Sequence, residues 1–256
     1  MLYVSFTCLP TRIENILVVL DSIKEQTLQP DRIFIHYPKK CLRLGKEYDK
    51  EELVSRIQTH DLKNKVHVNE TLDYGPITKI YPLLSLDLSD DDIIIVIDDD
   101  NFYNKHLFQH LYDGIMRDNC CVCASGLIYP EVLNSQYMCV RPGNYCQLME
   151  AAFGYIIRRK FIKDDLRDWV IQAQSMEEIQ KKHFMNSFLS DDYVLSRYLD
   201  TKQIAKKVLD FTPLVHKSNV FCSSECKSAD SLSSLELNLN KYVRSEIELK
   251  LRRLVT

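Results

Sequence analysis

No strong excess of either charge marks this sequence. Its 33 basic and 36 acidic side chains leave a formal charge of −3, which makes no electrostatic case for nucleic acid or an anionic membrane. No apolar run approaches the roughly 20 residues that cross a bilayer, so no transmembrane segment is expected. The opening MLYVSFTCLP is short, strand-like and without a basic lead, unlike a signal peptide. Internal repeats are missing too. The nine cysteines are an odd number and, with no export signal, read as reduced thiols of a cytoplasmic protein rather than a disulfide framework. Cys120, Cys121 and Cys123, and the pair Cys222 and Cys226, invite a zinc reading. Two CxxC motifs in tandem are absent, however, and Cys121 and Cys123 fall in a strand-like run, which disfavours zinc.

What is present is a hydrophobic content of 45% in 256 residues, enough for one large α/β domain or two small ones with a sizeable core. Leu2–Phe6 reads as a strand. Ile13, Ile16, Leu17, Leu20 and Ile23 then recur at helical spacing and predict a helix over Arg12–Gln26, with Thr11 and Glu14 as a capping box. Ile33–Tyr37 reads as a second strand, so the chain opens with a right-handed β-α-β unit and parallel strands. A surface helix is expected over Glu51–Thr59 and a short strand over Val66–Val68. Gly75-Pro76 is a turn before a helix starting near Ile77. Further on, the pattern predicts a helix over Asn104–Asn119, a strand over Cys121–Tyr129, and an apolar strand after Gly154. A helix over Phe161–Gln180, a loop entering a helix within Ser187–Leu199, and a last strand over Lys207–Val215 follow. Beyond Val220 a Ser-rich linker leads to a terminal helix striped by Leu239, Val243, Ile247, Leu251 and Leu254. Residues 1–220 are thus expected as one domain, and 221–256 as linker and helical tail.

The stretch around which the rest is organised is SDDDIIIVIDDDNFY, Ser89–Tyr103. Five aliphatic residues, Ile93–Ile97, end at Asp98, Asp99 and Asp100. Such a run reads as a central strand buried on both faces, and the C-terminal edge of such strands is where open α/β folds bind ligands. In extended chain Asp98 and Asp100 share a side and Asp99 points away. Two same-side carboxylates suit a hard divalent cation whose remaining ligands are phosphate and water. An Asp-rich solvated turn would carry the same residues. A second acid pair, Asp191 and Asp192, stands far along the chain. It suits a helix N-terminus, where the dipole favours acids, and equally a carboxylate base.

The order of these pieces resembles the GT-A-fold glycosyltransferases, which use nucleotide-diphosphate sugars. The resemblance covers about residues 1–220. It rests on the first strand and TxxP-type loop, DYGPITK, the strand ending in DDD, a glycine loop, an acidic pair entering a helix, and a late histidine. It implies a Rossmann-like mixed, mostly parallel sheet flanked by helices, with the helical tail outside it. Asp98 and Asp100 would form the DxD element holding Mn²⁺ or Mg²⁺, with Asp99 beside them at the nucleotide site. Thr7 and Arg12 would line the nucleotide pocket, and Asp73 and Lys79 would reach the base and the phosphates. Gly154 would allow close backbone approach, although relatives often carry a glycine at the place of Ala151. Asp192 would match the catalytic base, with Asp191 preceding it, and His216 a metal-binding histidine. The implied donor is a UDP- or GDP-sugar and the acceptor a glycan or other hydroxyl compound. The terminal helix would be free to meet a partner.

Two other classes remain open at this level. A haloacid-dehalogenase-like phosphatase also places DxD after a hydrophobic strand, but Asn101 and Phe102 fit its pattern poorly and 97 residues precede Asp98. A transferase-like fold kept as a binding module is the other, against which stand the intact Asp98, Asp100 and Asp192.

Overall fold

The computed structural model describes residues 1–42, 44–128, 138–171 and 191–210. The chain begins with β1 (Leu2–Thr7), a 3-10 segment (Pro10–Asn15) and α1 (Ile16–Lys24), followed by β2 (Arg32–Pro38). A small hairpin, β3 (Lys40–Cys41) and β4 (Lys46–Glu47), precedes α2 (Lys50–Gln58) and β5 (Val66–Thr71). Then come β6 (Ile93–Val96), α3 (Leu107–Asp118), β7 (Cys121–Cys123), β8 (Gly126–Ile128), β9 (Met138–Cys139), β10 (Leu148–Met149) and β11 (Tyr155–Arg158). The described residues end with α4 (Asp191–Thr201) and β12 (Lys206–Val208).

Among the described residues seven strands form the main sheet in the order β12-β7-β11-β6-β1-β2-β5, and only β11 of these runs against its neighbours. This is the mixed, mostly parallel sheet flanked by helices that the resemblance implies. Strand β6 is central. Ile93 to Ile97 are all buried because both faces are covered: Ile93, Ile95 and Ile97 join the core against α1, α2 and α3, and Ile94 and Val96 the core on the other face. Each such side chain stabilises by about 1.5–3 kcal/mol relative to exposure, so the strand that delivers the aspartates is firmly set.

Three expectations need correction. The helix predicted from Arg12 is α-helical only from Ile16, and no side chain caps either its start or the 3-10 segment before it. Arg12 and Ile13 are adjacent yet both buried, and the tight turn lets one join the core while the other faces the aspartates. After Gly75-Pro76 the chain likewise makes two 3-10 turns, Ile77–Lys79 and Tyr81–Ser85, rather than an α-helix. Finally, the single strand expected over Cys121–Tyr129 divides within its described part: β7 stays in the main sheet and β8 joins β9 and β10 in a second one. Gly126 permits that departure, since a Cβ there would lie 2.7 Å from the Cys146 side chain. Cys120, Cys121 and Cys123 are buried core residues, and among the described residues no three His, Cys, Asp or Glu side chains are grouped to hold a metal on their own. Cys222, Cys226, His216 and the terminal helix lie outside the described residues, as does the end of the strand expected over Lys207–Val215.

Candidate active site

The parallel register Ser5↔Val96 makes β1 and β6 end side by side, so the chain leaving Thr7 meets the chain leaving Ile97. Arg12 comes from the first and the three aspartates from the second. The Arg12 Nη1 lies 2.7 Å from Asp99 Oδ1 and 3.0 Å from Asp100 Oδ2. The Leu9 N–H donates to Asp99 Oδ2 at 2.9 Å. Asp99 therefore spends both oxygens on the β1 loop, and its side chain is 8% exposed. Asp98 and Asp100 are 26% and 27% exposed. The Tyr103 hydroxyl braces this loop, accepting from the Asp98 N–H at 2.8 Å and donating to the Asp98 carbonyl at 3.2 Å.

Lys79 approaches from the opposite side. The Tyr74 N–H donates to Thr78 Oγ1 at 3.0 Å and the Ser5 hydroxyl donates to the Lys79 carbonyl, which together anchor the turn against β1. The Lys79 side chain, 4% exposed, ends between Asp98 Oδ1, which it contacts, and Asp191 Oδ2 at 3.0 Å. Burial opposes its ammonium, but Asp191 and Asp98 outweigh burial and hold its pKa well above the usual lysine range.

Asp191 and Asp192 open α4 in its first turn. The Ala151 N–H donates to Asp192 Oδ1 at 2.9 Å, tying the acid pair to the loop before β11. Five carboxyl groups, Asp98, Asp99, Asp100, Asp191 and Asp192, thus gather with two cationic side chains. The imbalance shows in their acidities. Burial first, then Asp99 and Asp98, push the Asp100 carboxyl up to about 7. Burial raises Asp191, against the pull of Lys79, and burial and then Asp191 raise Asp192 well above the carboxylate range.

No protein-family model and no curated protein sequence matches the chain. Solved structures do. S. aureus TarS 1–349 in complex with UDP-GlcNAc is 13% identical, with 82% of this chain and 56% of that one covered and a TM-score of 0.51. A further structure of S. aureus TarS 1–349 gives 13%, 83%, 59% and 0.50. The fold is of the GT-A type. A 4-diphosphocytidyl-2C-methyl-D-erythritol synthase from Anaerococcus prevotii, 13% identical with 89% of this chain and 99% of that one covered, is a looser match with a TM-score of 0.47. The chain spans little more than half of TarS 1–349, 56% in the first comparison.

Many GT-A proteins hold a divalent cation, and the acids present fit one. Asp98 and Asp100 are partly exposed carboxylates, both offer hard oxygen donors, and the surplus of negative charge around them is what a cation would relieve. Because no three ligands cluster among the described residues, other oxygens would have to complete its shell.

The remaining predicted residues divide. Thr7, partly buried, ends β1 in register with His36. Asp73 braces two loops: its oxygens accept from the Gly75 N–H at 2.8 Å and the Leu42 N–H at 2.6 Å. Gly154 has φ +89°, and its absent Cβ would meet Leu107 at 3.3 Å and Ile97 at 3.6 Å, so its glycine answers to the turn and the core. His216 lies outside the described residues. Sequence reasoning missed Tyr103 and Asn101. The Asn101 amide donates to the Ala152 carbonyl at 2.6 Å, joining the aspartate loop to the one that holds Asp192. The only local signal for these was a polar or aromatic residue beside the aspartates.

Proposed function

We propose that the chain is a glycosyltransferase dependent on Mn²⁺ or Mg²⁺, moving a sugar from a nucleotide-diphosphate sugar to an acceptor hydroxyl with inversion. The observation that carries this reading is the meeting of two acid groups from distant segments at one sheet edge: the partly exposed Asp98 and Asp100 after β6, and Asp191 with Asp192 at the start of α4.

In this reading Asp98 and Asp100 hold the cation, which when bound supplies positive charge opposite the departing diphosphate. Arg12 fixes the direction of Asp99 and Asp100 and so keeps the Asp100 carboxylate in place. Asp192, with one oxygen pinned by the Ala151 N–H, takes the acceptor proton on the other; its raised pKa moves it towards the range that suits a base. A base facing away from the leaving group implies single in-line displacement through an oxocarbenium-like transition state, hence inversion. His216 would add an imidazole and favour Mn²⁺ over Mg²⁺. Residues 1–220 would form the catalytic domain, and 221–256 a linker and helix for a partner. No described helix is long and apolar enough to cross a membrane. A cytoplasmic setting suits the seven described cysteines, none of which forms a disulfide. UDP-sugars are the first donors to try, GDP-sugars the next, and the acceptor is a glycan or another hydroxyl compound.

The test is a thermal-shift screen of nucleoside diphosphates and nucleotide sugars with Mn²⁺, Mg²⁺ or chelator, since ligands of the native state raise its melting temperature. A shift that needs metal, followed by sugar transfer, is expected. Equal shifts in chelator overturn metal dependence. Phosphate release from simple esters would move the assignment to the dehalogenase-like phosphatases, and metal-dependent binding without transfer or donor hydrolysis to a binding module.

A further inference from the structure

Lys79 was expected, with Asp73, to reach the base and the phosphates; in the structure its ammonium is paired with two aspartates. The side chain is 4% exposed and its Nζ is shared between Asp98 and Asp191. Those two acids lie on separate segments, one at the end of β6 and the other in the first turn of α4. Lys79 is the only cationic side chain paired with either among the described residues, because Arg12 serves Asp99 and Asp100. Its backbone cannot easily withdraw: the Ser5 hydroxyl and the turn through Thr78 hold it to β1. An ammonium fixed on an oxygen of Asp98 stands where a second cation would need that oxygen.

We propose that Lys79 is the internal counter-ion of this site: it bridges Asp98 to Asp191 and competes with a divalent cation for Asp98. This rests on the metal-dependent reading above. Cation binding then transfers Lys79 wholly to Asp191, next to Asp192, so occupancy of the donor side alters the charge around the base. Lys79 is accordingly a positioning residue and not a contact to the diphosphate.

The experiment measures Mn²⁺ alone, by calorimetry and by the electron paramagnetic resonance of free Mn²⁺, on the full chain. Lys79→Met should bind Mn²⁺ more tightly than wild type by on the order of tenfold or more, because a unit positive charge close to the ion is removed. Lys79→Arg keeps the charge and should remain within a few-fold of wild type. If Lys79→Met fails to fold with its carboxylates unpaired, the double variant K79M/D191N decides. It removes both charges of the buried pair, leaves the net charge of the site unchanged, and should still bind Mn²⁺ more tightly than wild type. Equal or weaker Mn²⁺ binding in the double variant, with wild type binding normally, overturns the inference alone. Wild type that binds no Mn²⁺ overturns the metal-dependent reading and this inference with it.

Discussion

Arg12 reaches 87 positions along the chain to place its Nη1 2.7 Å from Asp99, with both side chains 8% exposed. The same nitrogen lies 3.0 Å from Asp100, so one guanidinium sets the direction of two of the three aspartates. The β1 loop and the β6 loop are therefore a single electrostatic unit.

Arg12→Met leaves Asp99 buried without its cation. Loss of one partner of a buried pair costs about 3–5 kcal/mol, so the urea midpoint should fall by the equivalent amount. Arg12→Lys should recover only part of it, because a compact, strongly hydrated ammonium replaces the planar guanidinium whose Nη1 meets both carboxylates. A midpoint unchanged in Arg12→Met would show that the pair contributes little.

Asp100→Ala should remove the metal advantage in nucleoside diphosphate binding while the fold persists, since its side chain is 27% exposed and lies outside both cores. Calorimetry with Mn²⁺ and with chelator should give different affinities for wild type and equal ones for the variant. Retention of the difference in Asp100→Ala would take this residue out of the cation site.

Asp192→Asn keeps the size and the acceptor for the Ala151 N–H but removes the basic oxygen. Transfer should fall by on the order of 10² or more, while donor affinity barely changes. Asp191→Asn should cost less. An active Asp192→Asn enzyme would exclude this base, and a product carrying the donor's own anomeric configuration by NMR would exclude inversion.

His36 predicts a pH dependence of stability. It is fully buried, its Nδ1 lies 3.1 Å from the Asn69 side-chain nitrogen, and burial pushes its pKa down to about 3. An unfolded histidine titrates near ~6.5, so below that pH the unfolded chain binds a proton that the native imidazole refuses. The stabilisation is complete above about pH 6.5 and is lost as pH falls from there towards 3, by about 1.4 kcal/mol per pH unit at most. Urea midpoints between pH 7 and 4 should decline less steeply for His36→Gln; identical slopes would mean that the histidine protonates in the native state.

Local pattern alone determined the strand of Ile93–Ile97, the run of aspartates at its end, the opening β-α-β unit and the acid pair at the head of α4. Each of these follows from period, burial and capping within a dozen residues, and the main sheet carries them where expected. The tertiary structure decided the use of the charges. Lys79 pairs with Asp98 at 19 positions and with Asp191 at the other end of the described chain, and Arg12 pairs with Asp99 across 87. Such partners are chosen by which strands lie adjacent, and strand order is absent from the period of any one segment. Packing made two further decisions. It replaced the first turn of the expected helix by the 3-10 segment that brings Arg12 inward, and it set Gly154 at φ +89° against Leu107 and Ile97. In the first place the need to bury Arg12 against Asp99 outweighed the local helical preference of the backbone, and in the second the missing Cβ permits the positive φ.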